Sequence, residues 1–236
     1  MWPTDAETLI AEQERLAAAS PQPVGIDGDR SLITGVWVCF PRGISDSPDG
    51  AEHAWCAAHS TRAGTAVERR ASEGTVDAPY VAGLIALRLG PLLDRLVRSL
   101  TERPDVLLVD ATARDHPRRA GLAWQLGAVL NIPTIGVTHR PLVAGGDWPD
   151  EERGAMSPIR IDATTVGCWL RTQRGVRPLV VHPGWQVDLD TAVAVVMAVS
   201  RRRTPEPLRQ ARQLARSARA RERPSMPTDT DRMAAG

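Results

Sequence analysis

Apolar residues change their spacing along this chain, and that spacing separates strands from helices. Two short β-branched runs come first, residues 23–27 (PVGID) and 32–40 (LITGVWVCF). Both are expected as strands, with a turn at Gly28-Asp29-Arg30 between them. The turn-rich segment 41–50 (PRGISDSPDG) leads to a third expected strand over 51–60, and 65–71 is left open between strand and helix. Helical spacing then takes over. Pro91 suits a first helical position, and Leu92, Leu93, Leu96, Val97 and Leu100 predict a helix over 91–103. The unbroken apolar run 106–110 (VLLVD) reads as a buried central strand, followed by a helix over 117–130 and a strand over 134–137. Beyond a long polar loop at 141–158, strands are expected at 164–171 and 178–182 and an amphipathic helix at 188–203. Strands first and alternating elements later predict an α/β fold with a mixed sheet flanked by helices.

The 236 residues suffice for one sizeable α/β domain, expected over 1–220, with a disordered tail over 221–236. The first twenty residues are acidic and amphipathic, the pattern of a surface helix and not of a signal peptide. No apolar run approaches the roughly 18 residues of a membrane span, so no membrane partner is expected. Cys39, Cys56 and Cys168 form no CxxC pair, which points to reduced thiols and a cytoplasmic protein. A net charge of +1 exerts no global pull on nucleic acid. Charge is uneven, however: Arg201, Arg202, Arg203, Arg209, Arg212, Arg216, Arg219, Arg221 and Arg223 crowd one stretch, and a local patch is what a polyanion meets.

Candidate chemistry begins with two aspartates that each end an apolar strand, Asp27 and Asp110. Ligands of open α/β sheets sit beyond the carboxyl ends of the strands. If these two strands are neighbours, both carboxylates enter one crevice, where oxygen ligands suit Mg²⁺ or Mn²⁺ and a phosphodiester substrate. The plain alternative is that aspartate favours turns after strands. His116, Arg118 and Arg119 follow at an expected helix start, which makes them either a phosphate-facing surface or a solvated first turn. Tyr80, the single tyrosine, lies on a loop where it could stack on a base or simply pack.

Their order and wording carry more than each alone. PYVAG, RLGPLL, PDVLLVDATARDHPRRAGLAWQLGAVLNIPTIGV, RPLVVHPGW and RRRTPEP resemble, in sequence order, the signature segments of endonuclease V over roughly residues 20–212. That resemblance implies a ribonuclease H-like fold and a monomeric, Mg²⁺- or Mn²⁺-dependent endonuclease. Its implied reaction cuts a phosphodiester to the 3′ side of inosine in deaminated DNA, or in some members RNA. By motif, Asp27 and Asp110 match the metal aspartates, and His116 and His139 fall in catalytic segments. Tyr80 and Val81 match a strand-separating wedge, while Arg118, Arg119, Gly121 and Leu122 match nucleic-acid and base-pocket positions. Several positions depart from the family: Leu89 stands for a glutamate, His139 for a lysine, Trp185 for a histidine and His182 for a serine. Three readings follow: a nuclease altered in activity, a site rebuilt from His116, His139 and His182, or a non-catalytic nucleic-acid-binding protein of the same fold.

Overall fold

A computed structural model describes residues 2–42 and 52–221. All but the first residue of the expected tail, and most of the 41–50 linker, lie outside these residues. Elements run in the order α1 (Ala6–Ala17), β1 (Ile33–Cys39), β2 (Glu52–Arg62), β3 (Thr65–Val76), α2 (Ile85–Arg98), β4 (Val106–Val109), α3 (Leu122–Leu130), β5 (Thr134–Thr138), β6 (Met156–Ile161), β7 (Thr164–Leu170), β8 (Leu179–Pro183), α4 (Leu189–Ala198) and α5 (Glu206–Arg221). The eight strands form one sheet in the order β3-β2-β1-β4-β5-β8-β7-β6. Only its centre, β1-β4-β5, is parallel. The flanks pair antiparallel, which makes the sheet mixed as expected.

Strand periodicity divides the core into two layers. Leu107 and Val109 of β4 join Val36 of β1 in a cluster shared with α1, α2 and α3. Val106 and Leu108 point the other way, with Ile33 of β1 and Ile135 and Val137 of β5, into a cluster shared with α4 and Leu208 of α5. Because β4 is buried on both faces, its apolar run has no alternation. Gly35 lets α5 lie directly on β1: a Cβ there would run into the backbone of Pro207 and Leu208.

The structure differs from the sequence expectation at several elements. Residues 23–27 form no strand, since both positions beside β4 are taken by β1 and β5. The open segment 65–71 is strand β3. Pro91 lies inside α2 and not at its start. The preceding turn, 85–90, buries Ala86, Arg88 and Gly90, and this docking outweighs the proline's missing N–H. Helix α3 begins at Leu122, five residues later than expected, and 111–120 is irregular. Edge strand β6 escaped notice because Pro158 interrupts its pattern. Helix α5 escaped because its buried side rests largely on alanines, Ala211 and Ala215, among many arginines.

Candidate active site

The carboxyl ends of β1, β4 and β5 form the crevice in which the parallel sheet would present ligands. Parallel register pairs Val36 with Val109, so Trp37 stands beside Asp110. Trp37 shares a sheet face with Gly35 and Ile33, Asp110 with Leu108, and His139 with Val137. All three therefore face α4 and α5. Arg212, one helical turn beyond Leu208 on α5, completes the group, its guanidinium carbon 5.1 Å from the Trp37 ring centroid. Asp110 is open to solvent at its tip. The crevice walls nevertheless displace enough water to push its pKa up to about 6, with the Arg212 charge pulling the other way. His139 is exposed at the end of β5, and its pKa is lowered first by desolvation and then by Arg203, Arg212 and Arg177.

Asp27 does not join this crevice. It precedes the segment that enters β1, where Leu32 N–H donates to Asp105 Oδ2 at 2.7 Å, before the start of β4. Asp105 and Asp110 are separated by the length of β4, roughly 16 Å of extended chain. Asp27 instead caps its own turn, accepting from the Asp29 and Arg30 N–H groups at 2.9 and 3.3 Å. The pairing of two strand-end aspartates is therefore corrected: the strand expected to carry the first is not in the sheet.

The three histidines likewise disperse. His116 is buried, donating from Nε2 to the Gly83 carbonyl at 3.1 Å while Nδ1 accepts from Arg118 N–H at 3.2 Å. Burial lowers its pKa to about 4, so it is a neutral donor. His182 pairs with Gly136 on the sheet face opposite Asp110, where Nε2 meets Thr138 Oγ1 at 2.9 Å. It too is fully buried, with its pKa lowered to about 4 by desolvation. Only His139 lies at the Asp110 crevice.

His116 and Arg118 do not face solvent as a phosphate-binding turn, because no helix begins at Pro117 to present them. They anchor the loop bearing Tyr80. Gly83 O accepts from His116, from Arg118 NH2 at 2.9 Å and from Gln13 Nε2 of α1 at 3.0 Å. Beyond this clamp Tyr80 and Val81 are 72% and 45% exposed, a rigidly rooted apolar tip. The neighbouring Asp115, fully buried, accepts from the N–H groups of Leu142, Val143 and Ala144 at 2.7–2.9 Å and fixes a second loop. Arg119 has φ +55° and reaches Asp162 at 3.6 Å. Leu122 is core, and Gly121 caps α3 against the Thr112 carbonyl, so neither lines an open base pocket. Trp185 packs edge-on to Trp124 with ring centroids 5.5 Å apart.

A Mg²⁺ or Mn²⁺ ion needs several oxygen ligands. Asp110 is flanked by an indole and a guanidinium, Leu89 packs with the α2 core, and among the described residues no three His, Cys, Asp or Glu side chains converge on a metal position. The described residues do not fit the ion. Sequence reading missed Trp37 and Arg212. Pairing 33–39 with 106–109, and not 23–27, would have found the first.

Comparison with known proteins accords with this fold. A family profile described as Endonuclease V matches residues 22–213. An endonuclease V from Roseiflexus castenholzii is 34% identical over 92% of this chain and 95% of its own length. One from Streptomyces coelicolor is 35% identical over 92% of each. The crystal structure of the Streptomyces avermitilis endonuclease V superposes with a TM-score of 0.83 at 34% identity, covering 93% of this chain and 95% of that one. The catalytic domain of human endonuclease V gives 0.79 at 30% identity, over 92% and 96%.

Proposed function

This chain belongs to the endonuclease V family and has its ribonuclease H-like fold, and from that premise we propose that it grips inosine-containing nucleic acid without cutting it by the divalent-metal route. The observation that carries this reading is the carboxylate of Asp110 between Trp37 and Arg212, with no second or third metal ligand converging on it among the described residues. One carboxylate does not assemble the oxygen cage that polarises a phosphodiester and activates a water. The binding apparatus, by contrast, is well built. Three donors on the Gly83 carbonyl hold out Tyr80, whose ring can stack on a base exposed by strand separation.

Relatives of this chain are nucleases by name. An endonuclease V from Ciona intestinalis, which shares the fold at 20% identity, is solved in complex with a 24mer DNA containing an inosine followed by a ribo-adenosine. DNA, or RNA carrying the same deaminated base, is accordingly the ligand class proposed here. The test is to incubate an inosine-containing duplex with this protein in Mg²⁺, Mn²⁺ and Zn²⁺, scoring retention and nicking together. Retention with no nicking above an Asp110→Ala control supports the reading. Asp110-dependent nicking in any metal overturns it and restores the nuclease.

A further inference from the structure

Basic side chains converge where a metal site would require acids. Arg212 lies over Trp37, with its Nε buried and no hydrogen-bond partner among the described residues. Across the crevice, Arg203 donates from Nε to the Arg177 carbonyl at 2.8 Å and from NH2 to the Pro178 carbonyl at 3.1 Å, which fixes its guanidinium against the backbone that carries Arg177. Arg177 in turn lies over Trp148, 5.5 Å from its ring centroid. Among the described residues no ion pair joins Arg177, Arg203 or Arg212 to a carboxylate, although ion pairs tie up Arg174 and Arg209 close by in sequence. All three charges act on His139; Arg177 also acts on Arg203, and Arg212 on Asp110.

Like charges held together at a strand-end crevice, on arginines braced by indole faces and backbone carbonyls, raise the free energy of the empty site and are relieved by an anion.

We propose that Arg212, with Arg177 and Arg203, forms a metal-independent phosphodiester site beside Asp110, in which the Arg212 guanidinium supplies the positive charge that a divalent cation would otherwise bring. The ligand is the backbone of the same nucleic-acid strand whose base meets Tyr80, so the inference rests on the nucleic-acid-binding reading above. The planar donors of Arg212 suit a phosphate's two free oxygens, and its Nε has no partner among the described residues to hold the guanidinium back from one. Asp110 then sets a limit on affinity, since its carboxylate faces the same phosphate.

The experiment is fluorescence anisotropy with a labelled single-stranded oligonucleotide carrying one inosine, over a series of salt concentrations, in EDTA and again in Mg²⁺. The parent is expected to bind equally in both. Arg212→Gln is expected to bind severalfold more weakly and to flatten the plot of log K against log salt by about 0.7, the share of one phosphate contact on a single strand. Arg212→Lys should keep the slope, which separates charge from fold. Arg98→Gln, on α2 and paired with Asp94, should match the parent. If the parent binds while Arg212→Gln and the Arg177→Gln/Arg203→Gln pair keep its affinity and slope, the arginine site is overturned and the nucleic-acid reading survives. If binding appears only with Mg²⁺, metal independence is overturned. If the parent does not bind at low salt, both fall.

Discussion

His116 gives the sharpest handle on how the Tyr80 loop is held. Its ring is buried and neutral, and its pKa falls from the ordinary 6.5 to about 4. A histidine depressed on folding contributes stability that is present above 6.5 and lost as pH falls toward 4, because the unfolded chain takes up the proton first. At about 1.4 kcal/mol per pKa unit, the full contribution is on the order of 3 kcal/mol, of which about 2 kcal/mol disappears between pH 7 and pH 5. His116→Gln keeps an amide donor near the Gly83 carbonyl without a titrating ring. Urea unfolding of parent and variant at pH 7, 6 and 5 reads the difference. The parent is expected to lose about 2 kcal/mol more than the variant over that range. His182 titrates in the same window, also buried and lowered to about 4, so each histidine must be replaced separately and then together. Parallel stability–pH lines for parent and His116→Gln would refute the picture of a neutral buried donor.

Three further outcomes follow from the same geometry. Tyr80→Ala should weaken binding to an inosine-containing strand by roughly 5- to 150-fold, the range for one lost stack of 1–3 kcal/mol, with an unchanged melting temperature because the ring is 72% exposed. Gly35→Ala should force α5 away from β1 and lower the melting temperature by about 2–12 °C in calorimetry, as overpacking by 1–3 kcal/mol does in a chain of this size. Asp110→Asn should bind nucleic acid at least about threefold more tightly than the parent at pH 7.5, from one repulsion removed. That gap should close below pH 6, where the parent's raised carboxyl is itself protonated; a gap independent of pH would place Asp110 away from the bound phosphate.

The sequence made legible what depends on unbroken spacing. VLLV and TIGV read as central strands because both their faces are buried, and Leu92, Leu93, Leu96 and Val97 read as a helix because one face is. The motif order was enough to indicate the family, which the comparisons then showed. What escaped was register. PVGID and LITGVWVCF are equally strand-like locally, and only competition for the place beside β4 decides between them. That choice moves Asp27 out of the crevice and Trp37 into it. Arg212 escaped for another reason: α5 docks through alanines and the bare Gly35, so its contacts come from closeness of backbone and not from an apolar stripe. His116 and Arg118 sit in a segment that reads as a helix start but folds as an irregular clamp.

On this reading a guanidinium, and not a metal ion, supplies the positive charge beside Asp110. Isothermal titration of Mn²⁺ into the parent and into Asp110→Ala tests it directly. The two titrations are expected to be indistinguishable. Binding by the parent that vanishes in Asp110→Ala would contradict it.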